Sequence, residues 1–202
     1  MGLITKQVND LLDITRLDTG KLSIHQQPED LSLLISRVVA TMNTTAQHKS
    51  LTIAVSSQLD TPTVWIDQSR IMQVLTNLLS NAIKFTPPGG AITVDTSDNP
   101  EDPSSVCLSV CDTGCGIAPE HFEHIFDRLY QVEGGHSRAE GGLGLGLTIT
   151  GEIIKLHGGQ IAVRSQLGHG TQFTITIPKK GPEVIHPPRI QGDSREIKNS
   201  AR

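Results

Sequence analysis

The chain has 202 residues, of which 36% are hydrophobic and 19% charged, with a formal net charge of −4. That suits one packed domain with extensions, and the missing basic block removes the electrostatic footprint of a nucleic-acid binder. No apolar run approaches the roughly 20 residues of a membrane helix, and no signal peptide is visible, so a soluble, cytoplasmic piece is expected.

Taken in chain order, residues 3–19 repeat Ile4, Val8, Leu11 and Leu12 at helical spacing, with Gly20 as the C-cap. That helix is expected to have an apolar face with nothing in the residues before it to cover it. A second amphipathic helix is expected from Leu31 to Gln47 after the Pro28 break, carried by Leu34, Ile35, Val38 and Val39. Strands are predicted at 51–55 and 63–66, then a long helix from an N-cap at Asp67 to Phe85, stopped by "TPPGG". Strands at 91–96 and 105–111, a helix at about 147–157, and strands at 160–165 and 171–177 complete the body. Two helices on a mostly antiparallel sheet give the expected fold class, α/β, a two-layer sandwich. The proline-containing stretch 181–202 reads as a disordered tail. Cys107, Cys111 and Cys115 lie four apart, but without a CxxC pair they fit neither a zinc site nor a disulfide framework.

Three motifs carry chemistry. In "NLLSNAIKF" each residue turns about 100°, so with Asn77 at zero, Asn81 falls near 40° and Lys84 near −20°. They form a polar stripe beside the buried face, which Val74, Leu78, Phe85, Ile71 and Ala82 occupy. Amide oxygens suit Mg²⁺ and a lysine suits phosphate, although a solvated helix edge would look the same. In "CDTGCGI" strand alternation aims Asp112 into an apolar layer, where it needs a donor such as an adenine amino group. Gly114 and Gly116 clear room for a flat base, although an Asp-Gly turn is the bland alternative. In "EGGLGLGLTIT", Gly142, Gly144 and Gly146 precede a helix whose N-terminal amides could bind phosphate. The spacing is neither the Rossmann fingerprint nor a Walker A loop. Residues 133–142 are expected to act as a lid.

These motifs together resemble the catalytic, ATP-binding domain of sensor histidine kinases, within the wider family having the Bergerat ATP-binding fold. "NLLSNAIKFTPPGG" is similar to the N box, "DTGCGI" to the G1 box, "HFEHIFDRLYQ" to the F box and "GGLGLGL" to the G2 box. The resemblance spans roughly residues 3–179. It implies residues 1–22 as the second helix of a dimerisation hairpin, 23–180 as the catalytic domain and 181–202 as tail or linker. It implies ATP and Mg²⁺, with Asn81 as metal ligand, Asn77 beside the phosphates and Lys84 on phosphate, these three being the catalytic candidates. Asp112 is implied on the adenine amino group, and Gly114, Gly116, Ile117, Leu143, Leu145 and Leu147 as further ATP-binding positions. Gly142, Gly144 and Gly146 are implied on the triphosphate and Thr171 near adenine, with Arg138 a weaker phosphate candidate.

Two departures from the family pattern are Leu143, where a hydroxyl is common, and Leu129, where a phenylalanine is usual. ATPases of the same fold carry a glutamate at the position of Asn77, and asparagine cannot act as a general base at neutral pH. The resemblance therefore implies ATP held for transfer to a histidine. None of the eight histidines has the H-box context of an acidic neighbour and a nearby proline. The acceptor would sit on a helix upstream or in trans, and other implied partners are a response-regulator receiver domain and a second copy through the N-terminal helix. The parent kinase could be anchored in the inner membrane. A non-catalytic ATP-binding regulatory module is the alternative reading, and an ATPase is disfavoured by Asn77.

Overall fold

Two aspartates start the helices that carry the core. The computed structural model describes residues 3–132 and 143–181. Helix α1 (Leu3–Asp18) is followed by β1 (Gln27–Asp30), α2 (Leu31–His48), β2 (Thr52–Gln58), β3 (Thr63–Ile66) and α3 (Gln68–Phe85). Then come β4 (Ala91–Asp98), β5 (Ser105–Asp112), a 3₁₀ turn at Pro119–His121, α4 (Gly146–Leu156), β6 (Gln160–Gln166) and β7 (Gly170–Pro178). Asp30 caps α2 by accepting from the Leu33 N–H at 2.9 Å, and Asp67 caps α3 by accepting from the Arg70 N–H at 3.1 Å. Each cap is worth about 1 kcal/mol.

Five strands form one sheet in the order β2-β4-β5-β7-β6, parallel only between β2 and β4. Alternation puts Ile92, Val94, Val106, Leu108, Val110, Phe173, Ile175 and Ile177 on one buried face. Against it lie Leu34, Ile35 and Val38 of α2, Ile71, Val74, Leu75 and Leu78 of α3, and Ile149, Ile153 and Ile154 of α4. Each such side chain contributes roughly 1.5–3 kcal/mol by leaving water. The two-layer sandwich is thus present, with three helices on the sheet where the sequence suggested two. Among the described residues, no helix is long and apolar enough to cross a membrane.

The strand at 63–66 forms as expected, but in a separate antiparallel ribbon with β1. The segment "QPED" shows no apolar alternation and contains a proline, so β1 had no sequence signal.

Helix α1 ends as its glycine suggests. Gly20 has φ +63°, its N–H reaches the Leu17 carbonyl at 3.0 Å, and Lys21 N–H reaches the Arg16 carbonyl at 2.8 Å, a Schellman cap. The face it docks is a different matter. Val8, Leu11 and Leu12 stay half-exposed, while Asp10, Asp13 and Ile14 are buried. Asp13 is seated by Arg70, whose Nη1 lies 3.0 Å from both carboxylate oxygens, and by Gln73 Nε2 at 2.8 Å. A polar clamp onto α3 holds this helix, and its apolar ridge faces outward.

Candidate functional site

The site is built where the C-terminal half of α3 meets the ends of β5 and β7 and the start of α4. Asn77 is buried, and Asn81 and Lys84 are half-buried, so the polar stripe does run beside the core. Asn77 lies deeper than an edge position because its Nδ2 donates to the Gly146 carbonyl at 3.3 Å. This contact ties the middle of α3 to the first turn of α4. Asn81 has no hydrogen-bonded protein partner for its amide among the described residues. Lys84 lies with its ammonium 5.1 Å from the centre of the Phe85 ring. Phe85, expected on the buried face, is 44% exposed. It closes the last turn of α3, where its carbonyl accepts the Cys115 N–H at 3.2 Å.

A lysine that the motifs did not mark closes this end. Lys49, just after α2, donates from Nζ to the carbonyls of Ile83 at 2.8 Å and Lys84 at 2.6 Å. A helix C-terminus carries partial negative charge, and an ammonium on its free carbonyls offsets it beside Asn81 and Lys84.

Asp112 ends β5 with its side chain on the buried face, 8% exposed, as alternation requires. Burial pushes its carboxyl above the ordinary aspartate range, and hydrogen bonds from the N–H groups of Gly114 and Thr171 offset part of that rise. The Gly114 N–H lies 2.8 Å from Oδ1. A side chain at Gly114 would put its Cβ 2.6 Å from Asp112 Oδ1 and 2.7 Å from the Phe85 carbonyl oxygen, so only glycine fits. Gly116 has φ +69° and its missing Cβ would overlap the Gln166 carbonyl. The G1-type loop is therefore pressed onto both α3 and the β6–β7 hairpin.

Thr171 faces Asp112 in register across β5 and β7, and is 7% exposed. Ile117, half-buried against the core, donates its N–H to Ser165 Oγ at 2.8 Å. Ser165 also donates to the Gly170 carbonyl at 2.7 Å and lies 3.0 Å from Thr171 Oγ1. No motif pointed to Ser165, because its partners lie in two other segments.

Of the glycine-rich segment, Leu143 through Leu147 are described, whereas Gly142, Arg138 and the rest of the proposed lid at 133–142 lie outside the described residues. Leu143 is 39% exposed, Leu145 is a core residue and Leu147 packs against the core. The Gly144 carbonyl accepts from the Leu129 N–H at 3.2 Å, joining this loop to the F-box-like segment. Phe126 of that segment meets Phe173 edge-on at 6.5 Å, and its carbonyl accepts from Thr148 Oγ1 at 2.9 Å. Unlike α2 and α3, α4 has no side-chain cap hydrogen bond at its N-terminus among the described residues.

A depression of about 360 Å³ lies at the same strand ends, lined by Cys111, Arg164 and Gln172 among others. Asp112, Ser165 and Thr171 line it too, so it borders the Asp112–Thr171 pair.

This arrangement can seat a molecule that offers a hydrogen-bond donor to Asp112 and anionic groups to Lys84 and the α4 N-terminus. The sequence signature described as histidine kinase-, DNA gyrase B-, and HSP90-like ATPase matches residues 66–181. The sensor protein SrrB of Staphylococcus aureus (strain NCTC 8325 / PS 47) is 38% identical over 177 residues, covering 87% of this chain and 30% of that protein. The chain therefore spans less than a third of the length of the curated relatives it matches. Full-length ShkA in complex with AMPPNP superposes with a TM-score of 0.77 at 31% identity, over 89% of this chain and 36% of that one. The catalytic domain of the histidine kinase ThkA gives 0.66 at 30% identity, over 77% of this chain and 97% of that one. ThkA in complex with the response regulator TrrA gives 0.67 at 26% identity, over 88% of this chain and 50% of that one. The fold is that of histidine kinase catalytic domains, and the chain belongs to the family of histidine kinase-, DNA gyrase B- and HSP90-like ATPases.

Proposed function

We propose that this chain is the catalytic half of a histidine protein kinase, holding ATP and delivering its γ-phosphoryl to a histidine on a separate helix. The observation that carries the reading is the buried Asp112 carboxylate beside Thr171, with the start of α4, which has no side-chain cap, as the second feature. A buried carboxylate and a helix N-terminus match a purine amino group and a triphosphate respectively.

In this reading Asp112 accepts from the adenine amino group, with Thr171 beside it, while Gly114, Gly116 and Ile117 let the base lie against the loop. Lys84, the backbone of Gly142 to Leu147 and Arg138 neutralise the phosphates. Among the described residues the Asn81 amide oxygen has no hydrogen-bonded protein partner, and such an oxygen would suit holding Mg²⁺, which would supply positive charge against the phosphates. Asn77 holds α3 and α4 in register through Gly146. Being an amide, it leaves water unactivated, so hydrolysis stays slow and the phosphoryl waits for imidazole. Residues 1–22, 23–180 and 181–202 then divide into remnant hairpin helix, catalytic domain and tail. The setting is the cytoplasm and the downstream partner a response-regulator receiver domain; ThkA, of the same fold, is seen in complex with the response regulator protein TrrA.

The test is calorimetric titration with ATP, with and without Mg²⁺, followed by mixing with a helical hairpin that carries an acceptor histidine and γ-labelled ATP. Micromolar Mg²⁺-dependent binding and acid-labile label on the hairpin, none on this chain, are expected. Binding without transfer would replace the kinase with a nucleotide-binding regulatory module. No binding would overturn both.

A further inference from the structure

A hydroxyl has one hydrogen to give and two lone pairs to fill, so three close partners fix its direction completely. Ser165 has three. Its oxygen lies 2.7 Å from the Gly170 carbonyl, which can only accept, so the Ser165 hydrogen is committed there. The Ile117 N–H takes one lone pair at 2.8 Å. The contact of 3.0 Å to Thr171 Oγ1 then has a single consistent assignment, with Thr171 as donor to the remaining lone pair. Thr171 is left with its own lone pairs alone to present beside Asp112, its register partner. Asp112 Oδ1 already takes the Gly114 N–H, and the ionised carboxylate offers acceptors only.

Resting on the nucleotide reading above, we propose that Ser165 is a positioning residue that locks the Thr171 hydroxyl as an acceptor. The Asp112–Thr171 corner thereby selects a 6-amino purine over a 6-oxo purine. A 6-oxo group brings an acceptor to a corner made of acceptors, whereas a free threonine hydroxyl could turn and donate to it. The discrimination is set one strand away from the base, by a residue that does not touch it.

The experiment is a double-mutant cycle read by calorimetry with Mg·ATP and Mg·ITP on the whole chain. Ser165→Ala is expected to narrow the ATP-to-ITP affinity ratio by roughly tenfold, the size of one hydrogen bond. Thr171→Val removes the hydroxyl while keeping its shape, and in that background Ser165→Ala should leave the ratio within about twofold. Ser165→Cys keeps the volume with a weak hydrogen-bonding group and serves where the alanine variant melts too low; it should narrow the ratio in the same direction. A ratio unchanged by either replacement, or a Ser165 effect of equal size with and without the Thr171 hydroxyl, would overturn the proposal and leave Ser165 a fastener for Ile117 and Gly170. Absence of ATP binding by the unaltered chain would instead overturn the nucleotide reading on which it rests.

Discussion

Replacing Asp112 with asparagine should move stability and nucleotide affinity in opposite directions. In the ligand-free protein the Asp112 carboxyl is raised by burial, with hydrogen bonds from the Gly114 and Thr171 N–H groups offsetting only part of the rise. A group whose folded pKa lies above its unfolded value contributes stability below the unfolded pKa, near 3.8, and loses that contribution as pH rises through the folded pKa. At pH 7 the ionised side chain is therefore a liability, and Asp112→Asn should raise the melting temperature. Its amide oxygen can keep the 2.8 Å bond from Gly114. The advantage should shrink as pH falls through the folded pKa, where the wild-type carboxyl takes up its proton. Binding goes the other way. The lost hydrogen bond is one to a charged acceptor, worth about 1.5–3 kcal/mol, and the new NH₂ meets the adenine amino group donor to donor. That predicts an ATP affinity roughly 10- to 150-fold weaker. Melting curves from pH 4 to 8 and titrations with ATP at pH 7 read both quantities. A variant less stable than wild type at pH 7, or one that binds ATP as well as wild type, would refute the reasoning.

Three further outcomes are expected. His157 is held neutral by burial, partly opposed by its bond to the Ile153 carbonyl and by Asp67, and its Nε2 accepts the Asp67 N–H at 3.0 Å. Its folded pKa lies below 6.5, so the stability it gives is present above pH 6.5 and lost as pH falls through the folded value. Melting temperature should drop on that acid limb, and His157→Gln should flatten it; a limb of equal slope in the variant would contradict the assignment. Lys49→Met should weaken ATP binding by about 0.3–1 kcal/mol by uncovering the C-terminal carbonyls of α3, an effect that calorimetry at low salt would detect and that added salt should diminish. Gly116→Ala forces a side chain into a left-handed position against the Gln166 carbonyl, and denaturant melts should show a loss of at least about 1–2 kcal/mol.

What could be read from the sequence followed from locality. The α3 stripe, the Asp67 cap and the inward turn of Asp112 each depend on helix or strand period, and each appears where that period put it. What escaped depends on pairings over long separations. Asn77 reaches Gly146 across 69 residues, Lys49 reaches Ile83 across 34, and neither spacing has a signature. Helix α1 shows the converse. Its apolar period marked Val8, Leu11 and Leu12 as a face without a cover, and they stay half-exposed, but the face that does dock, seated by a carboxylate matched to Arg70 across 57 residues, had no periodic signal. Ser165 is one serine in a strand of mixed character until its three partners are known. Phe85 kept helical phase but stands exposed in the last turn of α3, which periodicity alone does not reveal.

The clamp between Asp13 and Arg70 bears on how α1 can move. With the pair seated, each charge is satisfied; with α1 fully lifted away, each regains water. In between, the two are out of bonding range while still shielded from solvent, the arrangement in which buried charge is most costly. Gln73, bonded to both, extends that penalty to a third side chain. Lifting α1 from α3 therefore has to pass through that costly arrangement before water reaches the charges. A push along α1 would be resisted until the clamp gave way, instead of producing a proportionate tilt.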